Sequence, residues 1–212
     1  VPLDLATLVG AGHTAILTVE VQNGMVGDAA VMPALAKAVA AGGTLERIAE
    51  LLRAARRARI PVVHCTVGAR PDRFGSNRNA RLFAGARKGG SPPPGFYDLH
   101  PTIGAEPDDV VLSRLHGLSP MTSTSLDAVL RNEGITTIVA TGVSVNVAVL
   151  GLAFEGVNRG YQVVVPRDAT AGVDETYVDA VYANTLSLIA TITTTAALVD
   201  VWSAGGAGGG DR

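Results

Sequence analysis

The chain has 212 residues, a formal net charge of −2, and a composition that is 47% apolar, 17% charged and 4% aromatic. That length supports one sizeable core, and the near-neutral charge, with no basic cluster interleaved with aromatics, argues against nucleic acid as a partner. No apolar run reaches the roughly 18 residues of a membrane span, and Val1-Pro2-Leu3-Asp4-Leu5 lacks the pattern of a signal peptide, so a cytoplasmic protein with no membrane contact is expected.

With so few aromatics the interior must be built from Val, Ile, Leu and Ala, which suits a buried parallel sheet. The single cysteine, Cys65, leaves no intramolecular disulfide and no cysteine-rich zinc site. Lysine occurs only as Lys37 and Lys88, whereas arginine is abundant.

In chain order, 14–20 reads as the first strand and ends on the carboxylate of Glu20. Leu45, Ile48, Leu52 and Ala55 recur at helical spacing opposite Arg47, Glu50, Arg53 and Arg57, which predicts an amphipathic helix over 45–59 capped by Thr44. A second strand follows at 60–66. From Gly68 to about Pro107 the pattern dissolves into Gly, Pro, Asn and Arg, as expected of an active-site loop or an oligomer contact. The third strand is expected at 109–113. Thr124 should cap a helix that Gly134 closes. The strand at 135–141 runs through Thr141-Gly142 into a helix over 144–159. A strand at 161–166, a helix from 174 to about 189 and a short strand at 190–194 follow. This alternation predicts an α/β fold, a three-layer sandwich with a six-stranded, mostly parallel sheet and helices on both faces. A single domain over 1–204 is expected, with a disordered Gly-rich tail at 205–212.

The strand, turn and helix at 136–149 should lie at the carboxyl edge of the sheet, where backbone N–H groups and the positive end of a helix dipole converge. Glu20 ends its strand among Ile16, Leu17 and Val19, whose burial would raise its pKa toward the range of a general acid or base. The plainer reading is a carboxylate bonded to amides of the next loop. Arg114 and His116 follow the third strand at the same edge. Arg70, Arg73, Arg78, Arg81 and Arg87 stud the long loop, either as a solvated face or as a clamp for a carboxylate-bearing substrate. His64 and Cys65 point to opposite faces of their strand, as packing residues or, for Cys65, as a nucleophile without an adjacent base. Ser144 reads as a helix-capping hydroxyl. There is no Gly-rich nucleotide loop, no Gly-x-Ser-x-Gly elbow and no histidine metal cluster, so no cofactor and no metal is expected.

Four stretches together carry a resemblance. They are Glu20-Val21-Gln22, Ser119-Pro120-Met121-Thr122-Ser123-Thr124-Ser125-Leu126, Thr141-Gly142-Val143-Ser144-Val145-Asn146-Val147-Ala148 and Tyr161-Gln162-Val163-Val164-Val165-Pro166-Arg167-Asp168-Ala169. In this order the chain resembles the isochorismatase-like hydrolases, the cysteine hydrolase superfamily, over about residues 12–200. The resemblance implies the α/β sandwich, a cis Val143–Ser144 peptide, a small-molecule substrate and a homo-oligomer, dimer or tetramer.

Family amidases use an Asp–Lys–Cys triad. Here the corresponding positions hold Glu20, Leu115 with Arg114 beside it, and Ala148. Two expectations follow. In one the chain is a hydrolase of a small carboxylate-bearing molecule that acts without a cysteine nucleophile, as the family's isochorismatases cleave a vinyl ether. Glu20 and Arg114 are then catalytic, and Gln22, Ser144, Val145, Ala148, His116 and Arg78 bind substrate. In the other it is a pseudoenzyme or ligand-binding member. A weaker third idea gives the lost thiol's role to Cys65.

Overall fold

The computed structural model describes residues 4–83, 91–122 and 124–206. β-Branched runs form the strands of one sheet: β1 (Thr14–Val19), β2 (Val62–Val67), β3 (Val110–Arg114), β4 (Thr137–Val143), β5 (Gln162–Pro166), β6 (Thr170–Ala171) and β7 (Thr191–Thr193). Their order is β3-β2-β1-β4-β5-β7, with β6 paired to the end of β4, and all of these pairings are parallel. Both faces of β1 and β4 are buried, which explains runs too uniformly apolar to alternate.

Helices cover both faces. Residues α1 (Pro33–Gly42), α2 (Thr44–Arg57) and α6 (Thr195–Gly206) pack with Ile16, Val62, Val139 and Val164, while α3 (Leu126–Asn132), α4 (Leu150–Asn158) and α5 (Glu175–Val181) pack with Leu17, Val63, Ile138 and Val163. Trp202 on α6 donates its indole N–H to the Val9 carbonyl at 3.0 Å, which anchors the last helix to the start of the chain. Among the described residues no helix is long and apolar enough to cross a membrane.

Three local expectations change. Thr44 is not a cap: α1 runs up to Gly43, whose φ of 60° breaks the helix, so Thr44 already lies inside the first turn of α2. The helix expected from 144 begins as a wide π-type turn, Val145–Val149, before α4. The last helix reaches Gly206, and the rest of the Gly-rich tail falls outside the described residues, as do Arg87 and Lys88.

On the α2 face a polar network runs inward from solvent. Glu106 pairs with Arg56 at 2.9 Å, Arg56 grips both oxygens of Asp109 at 3.2 and 2.5 Å, and Asp109 lies 3.1 Å from His64 Nε2. His64 Nδ1 lies 2.8 Å from the Thr18 hydroxyl on β1. Burial works against the Asp109 carboxylate, but hydrogen bonds from Arg56, the Glu106 amide and His64, with the charge of Arg56, outweigh it and hold its pKa low. An ionised Asp109 only accepts, so Nε2 carries the imidazole proton and neutral Nδ1 accepts from Thr18.

Burial lowers the His64 pKa below its ordinary value, against the pull of Asp109. The unfolded chain therefore takes up a proton near pH 6.5 that the folded chain refuses. The stability this confers is complete above that pH and declines as pH falls through about 6.5 toward the lower folded value. Urea midpoints measured from pH 8 to 5 should fall over that interval. They should fall less there in His64→Gln, whose amide still donates to Asp109 and accepts from Thr18.

Candidate active site

β1 and β4 are neighbours from which the sheet extends in opposite directions, and open α/β sheets bind ligands beyond the carboxyl ends of such a pair. Glu20 is the first residue past β1. Its backbone is left-handed, with φ 54°, and is held by its N–H to the Cys65 carbonyl at 2.9 Å and by its carbonyl accepting from the Gln22 N–H at 2.9 Å. This turn aims the side chain across the end of β2 toward β3. There Arg114 Nη2 donates to Glu20 Oε1. Arg114 is 2% exposed and the Glu20 side chain 19% exposed. Burial pushes the Glu20 carboxyl above the ordinary glutamate value, and the charge and hydrogen bond of Arg114 only partly offset it.

The position counted for a cation from the sequence was Leu115, with Arg114 one residue away. β3 continues through Arg114, one residue beyond the expected end, and strand alternation turns Arg114 inward and Leu115 outward, the latter 43% exposed. The Gly117 carbonyl accepts from Arg114 Nε at 3.4 Å, and the Gly117 N–H donates to Asn77 Oδ1 at 2.6 Å. Asn77 thus docks the long loop beside the pair. Nothing in the sequence distinguished it from the other polar residues of that loop.

β4 supplies the other wall. The Val143–Ser144 peptide is cis, as the resemblance implied. Ser144 is half-buried and its side chain makes no capping bond; its carbonyl accepts from the N–H groups of Val147 and Val149, both at 3.1 Å. Val145 and Ala148 are buried in the apolar cluster that holds Leu17, Val19, Cys65 and Met121, with Ala148 2% exposed. Gln22 is fully buried, and its carboxamide serves backbone. It donates to the Val67 carbonyl at 2.8 Å and the Tyr97 carbonyl at 2.6 Å, and accepts from the Val67 N–H at 2.8 Å, pinning the end of β2 to the 95–100 segment.

His116 stands exposed just past β3. Arg78 is exposed in a hollow of about 340 Å³ lined by Pro71, Asp72, Arg73 and Ser76, a hollow whose walls include neither Glu20 nor Arg114. The structure therefore brings Glu20 and Arg114 together, sets Ser144 at the same sheet edge, and leaves Arg78 and His116 on the exposed rim. Cys65 is fully buried and its thiol is pushed up to about 12 by that burial, so it stays protonated at neutral pH; His64 faces the opposite side of β2. Cys65 is a packing residue. Among the described residues no group of three His, Cys, Asp or Glu side chains could hold a metal ion.

A family model described as the isochorismatase domain matches residues 14–197. Ureidoacrylate amidohydrolase RutB of Methylorubrum extorquens is 32% identical over 182 residues, covering 76% of this chain and 70% of that protein. A cysteine hydrolase from Pseudomonas syringae pv. phaseolicola superposes with a TM-score of 0.79 at 23% identity, covering 93% of this chain and 96% of the other. An isochorismatase family protein from Burkholderia thailandensis superposes with a TM-score of 0.73 at 25% identity, covering 91% and 96%.

Proposed function

This chain belongs to the isochorismatase family of hydrolases, and we propose that it hydrolyses a small carboxylate-bearing molecule with Glu20, not a sulfur nucleophile, as the group that moves the proton. The observation that carries this reading is the Glu20–Arg114 ion pair at the carboxyl ends of β1 and β3; Ala148, in the turn after β4, carries no nucleophile. Ureidoacrylate, the molecule in the name of the M. extorquens relatives, joins a carboxylate to a hydrolysable ureido group, which fits the class.

Hydrolysis needs one proton moved in each direction. Glu20 in its neutral form gives a proton to the departing atom as that atom's bond to the electrophilic carbon breaks, and the carboxylate left behind takes a proton from the water whose oxygen bonds to the same carbon. A glutamate raised by burial exchanges protons nearer neutral pH than a free one. Arg114 remains charged throughout and serves as a fixed counter-charge.

The test is a panel of ureido, amido and enol-ether monocarboxylates followed by proton NMR. Wild type should hydrolyse at least one of them, and Glu20→Gln should lower kcat by about 10²–10⁴-fold. Full activity in that variant would overturn the reading. Two observations favour a second reading, binding without turnover: Ala148 is packed solid, and hollows of about 310 and 340 Å³ lie among residues 69–78 and 91–98 with Glu20 in neither wall. Under it, wild type binds members of the panel and leaves them intact.

A further inference from the structure

Three buried side-chain polar atoms find no hydrogen-bond partner among the described residues: Thr14 Oγ1, Glu155 Oε2 and Arg114 Nη1. Thr14 opens β1 at the far end of the sheet, and Glu155 Oε2 has Arg159 at 3.5 Å. Arg114 Nη1 is different. It belongs to a cation that is 2% exposed, it only donates, and it is the arm of a planar fork whose other arm already holds Glu20. A buried cationic donor without an acceptor is costly, so Nη1 calls for an oxygen that the described residues do not supply. The pair meets solvent at Glu20, whose side chain is 19% exposed, while Nη1 itself is covered.

We propose that Arg114 Nη1 is the docking point for the carboxylate of a small monoanion and that its arrival loads Glu20 with a proton. The inference rests on Glu20 and Arg114 being the heart of the site and adds how the site recognises its substrate and arms its acid. The guanidinium fork sets any oxygen on Nη1 beside the carboxylate on Nη2. Two carboxylates sharing one guanidinium repel each other, and one of them is driven to accept a proton. Without ligand, Glu20 balances Arg114. With ligand, the incoming carboxylate balances Arg114 and Glu20 becomes the neutral acid.

The charge account involves few other groups. Cys65, on β2 between them, stays a neutral thiol, and β4 presents Val143 and Ser144, which do not titrate near neutral pH. His116 lies two residues beyond Arg114, exposed. A carboxylic acid with a proton to give thus exists only when an anion occupies the site.

The experiment uses acetate as probe, acetamide as its uncharged counterpart and sodium chloride at matched ionic strength, with the protein held at constant pH in a pH-stat. Acetate should drive proton uptake approaching one per chain, and the two controls none. Acetate affinity should weaken about tenfold for each pH unit above neutrality, as linkage to one proton requires. Glu20→Gln should bind acetate at least as tightly as wild type, with no proton uptake and no pH dependence between pH 6 and 8. Because Arg114→Met alone strands a buried carboxylate, the binding-dead variant is the double substitution Glu20→Gln, Arg114→Met, checked for fold by circular dichroism.

Acetate binding retained in the double variant overturns the proposal, and so does wild-type binding without proton uptake or an absence of any acetate-specific effect. None of these readouts needs turnover. Proton uptake with no hydrolysis upholds the docking point and removes the catalytic reading; hydrolysis that depends on Glu20 without proton uptake does the reverse.

Discussion

Gly142→Ala is expected to destabilise the fold by about 3–5 kcal/mol, a large part of the stability of a domain this size. Gly142 lies opposite Val19 in the β1–β4 register with φ 101°, a conformation that side chains with a Cβ rarely adopt. A Cβ there would run into the Val19 carbonyl oxygen and stand 2.8 Å from the Val19 nitrogen. Both obstacles are backbone of a central strand, so neither can swing aside, and overpacking adds to conformational strain. The control is Gly134→Ala, also at positive φ (68°) but with nothing within 4 Å of the added carbon. It should cost only about 1 kcal/mol, for conformation alone. Urea denaturation of the two variants separates steric collision from backbone preference. Equal midpoints would show that β1 and β4 do not need their close approach.

Asp109→Ala is the second large effect, expected at about 2–4 kcal/mol. Its carboxylate, 3% exposed, accepts from Arg56, from the Glu106 N–H and from His64 Nε2. Removing it leaves the buried imidazole N–H with no acceptor and frees Arg56, which at 21% exposure recovers part of the loss from water. Glu106→Ala, at the solvent end of the same chain with 58% exposure, should change stability by no more than about 0.5 kcal/mol. Similar losses from both would mean that the network is held by its surface pair and not by the buried carboxylate.

Six of the seven strands were legible because β-branched runs bounded by Gly and Pro leave few alternatives, and α2 because its apolar and charged faces separate cleanly; the two-residue β6 is too short to carry a pattern. α1 was not. Pro-Ala-Leu-Ala-Lys-Ala-Val-Ala-Ala-Gly buries only Leu35 and Val39, and alanine on every side erases the contrast that a period needs. At the site, Glu20 was legible from its place at a strand end. The choice between Arg114 and Leu115 was not, because one residue of strand length decides which side chain turns inward. Gln22 read as a substrate contact, but its partners Val67 and Tyr97 lie 45 and 75 positions away, and only the folded chain shows that its carboxamide ties loops together.

The sheet order also bears on how the protein is made. β1 precedes its β4 neighbour in the chain by more than a hundred residues. A nascent chain can close β1 against β2 early, but the other edge of this fully buried strand stays open until residues 137–143 have been translated. Over that interval the strand destined for the centre of the sheet is a free edge, the kind of surface that captures other chains. Slower translation across residues 68–136 would prolong that exposure, and truncation before residue 137 would make it permanent.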